Sequence, residues 1–417
     1  MPAPATNWSG NYRYRAGELH RPQTLDELCA LAGTLNSVHV LGTRHTFTGI
    51  GDAAALVMLE QMEGAAEITV DRDAMAVSVG PAVTYAMLAD ALNAEGLALA
   101  NLASLPHISV AGAVATATHG SGDRRGNLAT SVLGVRLVTS AGEVLELDRS
   151  DPRFAGAVIH LGALGIVTRL TLEAQPYYEL RQDVYEDLEW DVLFAHLDEI
   201  TGAGVSVSIF HRFGDRIREV WVKSEAAAPG REDLFGARPA PAPRNPVPGA
   251  DPANCTPQLG VPGPWSERLP HFRSGFTPSA GDEIQTEFFV ARADAAAAVH
   301  ALRPLAAEIQ PRLLVAELRT IAADSLWLSP QHERDSVGLH FTWRRLPAEV
   351  ETVVAAIERA LEPFAPRPHW GKMFTGGAEA AARRYPRLED FRRLRAELDP
   401  RRAFVNDWLT EHVTGSV

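Results

Sequence analysis

The chain has 417 residues, 46% of them hydrophobic and 22% charged, an ordinary globular composition and enough length for two domains. A formal net charge of −13, with no stripe of Lys and Arg, excludes nucleic acid or an anionic membrane as partner and favours a neutral substrate. Only two cysteines are present, Cys29 and Cys255, far apart and outside any C-x-x-C pair, which excludes a disulfide framework and a zinc-thiolate centre.

The N-terminal MPAPATNWSGNYRYR lacks a signal-peptide core and no later segment is apolar enough to span a bilayer, so the cytoplasm is the expected location. Leu25, Leu28, Leu31 and Leu35 recur at helical spacing within 22–35, behind Thr24 as N-cap. A short apolar strand at 38–41 runs into the turn Gly42-Thr43-Arg44-His45, and strand-like stretches follow at 56–59 and 76–79. Residues 84–95 read as an amphipathic helix closed by Gly96. A hairpin is expected over 132–147 with its turn at 140–143, then a helix at 154–161 and a strand at 165–172. These mixed short elements predict an α+β domain over residues 1–175.

Residues 176–365 form a second region, with alternating strand patterns in VSVSIFHRF and REVWVKS. The stretch 226–270, dense in Pro, Ala and Gly, reads as a long irregular excursion. Strands return at 283–290, 313–321 and 337–343, with an Ala-rich helix at 293–302 between the first two. An antiparallel sheet covered by helices is therefore expected here, as a substrate domain. An Arg-rich C-terminal segment, 366–417, completes the chain.

Four segments carry the candidate chemistry. In VLGTRHTF (40–47) a strand enters a glycine turn and a hydroxyl-rich loop, which exposes backbone N–H groups to a pyrophosphate or an electron-rich ring; a surface turn with a solvated histidine fits these residues equally well. In ASLPHISVAGAVATATHGSG (103–122) nearly every residue from Ser109 onward is small or hydroxylated, so backbone amides and hydroxyls can approach a diphosphate without lysines. Tight core packing is the competing reading of that stretch. In LLVAELRTI (313–321) Glu317 and Arg319 share one face of an apolar strand, either as a structural ion pair or as ligand contacts. The same alternation puts His340 and Thr342 on one face of GLHFTW. In RPHWGK (367–372) Lys372 follows a Pro-fixed aromatic loop, which suits an aimed group, although a solvated lysine is as compatible. No G-x-G-x-x-G follows a strand, no P-loop occurs, and His332-Glu333 lacks the second histidine of H-E-x-x-H, so neither a nicotinamide nor a metal mechanism is expected.

Taken together, these segments resemble the vanillyl-alcohol-oxidase type of FAD-linked oxidases and, more narrowly, the alditol oxidases, with sugar-lactone oxidases as near relatives. The resemblance spans nearly the whole chain and is densest in GTRHTF, ASLPHISVAGAVATATHGSG, NCTPQLGVPGPWSERLPHFR, ELRT, HFTW and RPHWGK. It implies an FAD-binding domain made from both chain ends and a central substrate domain. It implies a covalent 8α-histidyl bond from His45 to FAD, with Val40, Leu41, Gly42, Thr43, Arg44 and Thr46 lining the cofactor. By the same matching Ser104, Ser109, Gly112, Thr116, Ala117, Thr118 and His119 wrap it, Val167 meets its adenine side, and His369 lies near the flavin. The polyol pocket implied is Ser104, Glu317, Arg319, Thr342 and Lys372, with Lys372, Arg319 and Glu317 as the catalytic set.

The reaction implied is oxidation of a terminal hydroxyl of xylitol, sorbitol or a similar alditol to the aldose, hydride passing from C1 to flavin N5 and O2 becoming hydrogen peroxide. Glu317 would accept hydrogen bonds from vicinal hydroxyls, while Arg319 and Lys372 would favour alkoxide character at C1. A neutral Lys372, its pKa lowered by Arg319, would take the proton. Ala103 is compatible with use of O2. An aldonolactone oxidase or dehydrogenase of the gulono- or galactono-type is the alternative on this scaffold, and a carbohydrate-binding protein without turnover a third reading. A monomer is expected.

Overall fold

The computed structural model describes residues 6–275 and 282–415. Thr24 caps the helix Leu25–Thr34, its side chain accepting from the Glu27 N–H. The strand that follows, Val38–Val40, pairs in parallel with Ala55–Val57, which pairs on its other side with Glu18–His20. Beside this three-stranded sheet lies an antiparallel sheet ordered Ile68–Asp71, Ala76–Val79, Ile166–Glu173, Val132–Val138, Val144–Asp148. The hairpin turns where the sequence places it, at Gly142, whose φ of +78° and approach to the Cys29 carbonyl leave no room for a side chain. Thr84 caps Tyr85–Ala94, and Gly96 turns the chain away with φ +68°.

Two local expectations change. The helix read over 154–161 shortens to Phe154–Ala157, because the chain swings through left-handed conformations at Leu161 (φ 55°) and Gly162 (φ 79°). Conversely, the small-residue stretch, for which no regular element was expected, contains a short helix, Val110–Ala115, before Ala117 (φ 56°) breaks it.

The middle of the chain builds a nine-stranded antiparallel sheet. Its main path runs Arg238–Pro239, Glu179–Glu189, Arg216–Glu225, Ser206–His211, Leu313–Ile321, Ser336–Arg344, Glu283–Ala291 and Arg367–Pro368, with Gly263–Pro264 also paired to Glu179–Glu189. Register gives the sheet two chemically different faces. Phe288, Leu339, Leu318, Ile209 and Val220 lie in one row, in the same apolar cluster as Val299 and Val353 of the helices Ala295–Leu302 and Pro347–Leu361. One residue back along three of these strands, Glu287, His340 and Glu317 form a row on the opposite face. The excursion 226–270 holds only two-residue strands and short 3-10 turns.

The C-terminal segment returns to the first sheet. The Val38 N–H donates to the Ala403 carbonyl at 2.8 Å, and His39 Nε2 lies 2.8 Å from the Phe404 carbonyl oxygen. Among the described residues no helix is long and apolar enough to cross a membrane.

Candidate functional site

A cavity of about 510 Å³ lies between the loops of the N-terminal sheets and the polar face of the nine-stranded sheet. Its first wall is mainly backbone and small side chains. Val40, Leu41, Gly42, Thr43, Arg44 and Thr46 line it from the turn after the first-sheet strand, with Arg44 at φ 61°. Ser109, Gly112, Thr116, Thr118 and His119 line it from the small-residue segment, and Val167 from the strand behind. A Cβ on Gly42 or Gly112 would meet Ser109 Oγ, at 2.5 and 2.8 Å, so either side chain would displace that hydroxyl. Ala117 does not reach the cavity: it is fully buried, and its left-handed backbone turns the chain while its methyl enters the apolar core.

His45 stands where this wall bends. Its ring stacks on Trp8 with centroids 5.0 Å apart, and its Nε2 lies 3.0 Å from His107 Nε2. Its Nδ1 is buried with no hydrogen-bond partner among the described residues. Burial, helped by His107 and Arg44, pushes the ring down to about 3, so the imidazole is neutral. A buried nitrogen left without a partner is a costly arrangement unless something else bonds to it.

The second wall consists of strand side chains. Glu287, its side chain 0% exposed, has Lys372 Nζ at 2.5 Å, His119 Nε2 at 3.2 Å, Arg319 Nη2 at 3.3 Å and His340 Nδ1 at 3.4 Å. Burial alone would raise its carboxyl, but Lys372, His119, Arg319 and His340 outweigh that and hold it well below the usual carboxylate range. Glu317 behaves alike: burial raises it, while Arg319 (Nε to Oε2, 3.4 Å) and His271 (Nε2 to Oε1, 3.0 Å) bring it well down. Arg319 Nη1 also donates to Ser104 Oγ at 3.4 Å. Two carboxylates thus face Arg319 and Lys372, the pairing that buried charge demands.

His340 completes the arrangement. Burial and Lys372 push it down to about 4, so it is neutral. Lys372 Nζ donates to its Nδ1 at 2.7 Å, which puts the ring hydrogen on Nε2, 3.0 Å from Thr342 Oγ1. The Thr342 hydroxyl hydrogen is then free to point into the cavity. Burial also lowers Lys372, and Arg319 adds to the effect while Glu287 opposes it. His119, Glu287 and His369 hold ligand-type atoms within 4.8 Å of one another, but Glu287 is engaged by the cations and His369 Nδ1 accepts from the Gly371 N–H at 3.1 Å.

Ser104, Glu317, Arg319, Thr342, His369 and Lys372 therefore converge on one cavity from three separate parts of the chain. Sequence reasoning missed Glu287 and His271. The alternation Glu283, Gln285, Glu287 within EIQTEFFV carried the same signal that singled out Glu317 and Arg319. His271 follows the irregular excursion and had no such signal.

Comparison with known proteins is consistent with this geometry. Residues 19–148 match the family model described as FAD binding domain, and residues 282–412 the one described as D-arabinono-1,4-lactone oxidase. The chain is 46% identical over 420 residues to an alditol oxidase from a Streptomyces species, with 100% of each chain covered. It is 27% identical over 442 residues to the L-gulono-1,4-lactone dehydrogenase of Mycobacterium tuberculosis, covering 98% of this chain and 99% of that one. The crystal structure of cholesterol oxidase from B. sterolicum matches with a TM-score of 0.77 over 97% of this chain and 95% of that one, at 16% identity, a likeness of fold alone.

Proposed function

Because the chain belongs to the alditol-oxidase family of FAD-linked oxidases, we propose that it oxidises the terminal hydroxyl of a neutral polyol, such as xylitol or sorbitol, to the aldose. One observation carries this reading: Glu317, Arg319, Thr342 and Lys372 meet the small-residue wall in a single cavity. Glu317 and Thr342 offer an acceptor and a donor to a file of hydroxyls.

The first wall fits FAD: close-packed glycines, hydroxyls and backbone amides suit a diphosphate, and the unpartnered Nδ1 of His45 suits a covalent bond. We assign that bond, to the 8α carbon of the ring, to His45. FAD held there would supply the hydride acceptor and the route of the electrons to O2, with hydrogen peroxide as the product. The chain's own residues do the rest. Glu317 accepts from the substrate's vicinal hydroxyls and Thr342 donates to one of them. Arg319 and Lys372 stabilise the developing alkoxide at the reacting hydroxyl. Lys372, its basicity lowered by burial, receives the hydroxyl proton, and Glu287 at 2.5 Å stabilises the ammonium formed. Residues 1–175 and 366–417 hold the cofactor in this reading, and 176–365 supply the substrate sheet.

Two measurements test it. Acid-precipitated protein should stay yellow, and His45→Ala should release its colour under the same treatment; a colourless wild-type pellet defeats the covalent assignment. Peroxide production should be robust with xylitol or sorbitol and weak with L-gulono-1,4-lactone. The opposite order would make the protein a lactone oxidase.

A further inference from the structure

The chain contains only two lysines, Lys223 and Lys372, every other cationic side chain of the Lys and Arg pair being arginine. Lys223 is fully buried and the Lys372 side chain 12% exposed, and both sit behind a histidine that meets a carboxylate of the site. Lys372 contacts His340 and Glu287, as described. Lys223, on the strand Arg216–Glu225 and 0% exposed, contacts His271, which contacts Glu317. The mechanism above gives Lys372 a task and Lys223 none.

We propose that Lys223 is a positioning residue for substrate binding, acting through His271 to hold Glu317 as a hydrogen-bond acceptor for the vicinal hydroxyls of a polyol; the inference rests on the polyol reading of the same pocket. Lys223 Nζ has three acceptors around it: the Leu269 carbonyl, the Pro270 carbonyl at 3.2 Å and His271 Nδ1 at 3.1 Å. Burial lowers Lys223 to about 7 and Glu317 opposes the fall; its ammonium form satisfies all three at once, and Nδ1 is then an acceptor. Burial and Lys223 push His271 down to about 4, so the ring is neutral and its single hydrogen stands on Nε2. That hydrogen points at Glu317 Oε1, 3.0 Å away, with Ser208 Oγ the other neighbour at 3.4 Å.

With Arg319 on Oε2 and His271 on Oε1, the carboxylate is gripped from the sheet side, and its remaining lone pairs are left for donors in the cavity. Without Lys223 the imidazole hydrogen is free to move to Nδ1. Nε2 then turns a lone pair toward a carboxylate, and Glu317 must rotate or take up a proton. Either outcome removes the acceptor that reads the hydroxyls. An arginine would not serve, since a planar fork cannot direct three donors at the two carbonyls and the ring nitrogen within a site made for a compact ammonium. The effect belongs to binding, because Lys223 touches neither the reacting hydroxyl nor Lys372.

The test is a double-mutant cycle on the FAD-loaded enzyme with xylitol. Lys223→Met should raise KM by about tenfold, the size of one hydrogen bond to a charged group, and leave kcat close to wild type. Glu317→Gln should also raise KM, and adding Lys223→Met to it should change KM no further. Equal KM increases in both backgrounds, or none from Lys223→Met where Glu317→Gln has one, overturn the proposal and leave the polyol reading intact. No KM increase from Glu317→Gln itself overturns both. Should Lys223→Met fail to fold, the ring 15N shifts of His271 in the unmutated protein, assigned with His271→Gln, decide the matter. The Nε2–H form is expected, and the Nδ1–H form or an imidazolium overturns the proposal.

Discussion

The cavity's two walls are made by opposite means. On the cofactor side the chain uses conformation: left-handed turns at Arg44, Ala117 and Leu161, and glycines where a Cβ would meet Ser109. On the substrate side it uses register: Glu287, His340 and Glu317 are brought level by strand pairing, although Glu287 and Lys372 lie 85 positions apart. A wall of backbone should tolerate side-chain change and resist changes of φ. A wall of paired charges should fail when any one charge is removed, however well the replacement packs.

The sharpest way to break that contrast is Arg319→Leu, which leaves two buried carboxylates short of a partner. Removing one member of a buried ion pair costs about 3–5 kcal/mol, so kcat/KM for a polyol should fall by roughly a thousandfold and the denaturant midpoint should drop with it. A loss below about tenfold, with the midpoint unmoved, would mean that the wall does not depend on charge pairing.

Glu287 sharpens the comparison through pH. Its folded-state pKa lies well below the ordinary value of 4.5, so its ionised form is favoured by folding. The stability it contributes is therefore fully present above pH 4.5 and is lost progressively as pH falls below that value toward the folded pKa. Glu287→Gln should lower Tm at neutral pH, because Lys372 and Arg319 lose their shared counter-charge, and should flatten the acid limb of the Tm–pH curve. Parallel curves for the two proteins, offset but equally steep below about pH 4.5, would remove Glu287 as the source of that limb.

The same contrast explains what could be read from the sequence. Period-two alternation made Leu313–Ile321 legible to the residue, and with it the shared face of Glu317 and Arg319. The Thr24 cap, the turn at Gly142 and the joint pattern of motifs were equally local. Glu287 was not singled out, although its strand was, because only the pairing with Ser336–Arg344 shows that this face looks at Lys372. The strand Glu179–Glu189 was hidden by its charges, some of which pair within the strand, as Arg181 does with Asp183. The helix Pro347–Leu361 has Val350, Val353, Val354, Ile357 and Leu361 at helical spacing and was legible, yet the reading passed over it. His271 and Lys223 lie far from Glu317 in sequence and meet it only through the fold.

The cofactor wall supplies the smallest effect and the cleanest control. Ala117 occupies φ 56° with its side chain outside the cavity, so only its backbone conformation bears on the wall. A left-handed conformation costs a residue with a Cβ about 1–2 kcal/mol, and glycine removes that cost while adding about 0.5–1 kcal/mol of unfolded-state entropy. Ala117→Gly should therefore raise Tm slightly, by roughly a degree, and leave flavin content and polyol KM unchanged. Ala117→Val is nearly as apolar and equally uncharged, but a β-branched residue is a poor occupant of that conformation, and it should lower both Tm and flavin retention. If valine were as harmless as glycine, the wall would be responding to side-chain chemistry after all, and the division between a wall of conformation and a wall of register would fail on the cofactor side.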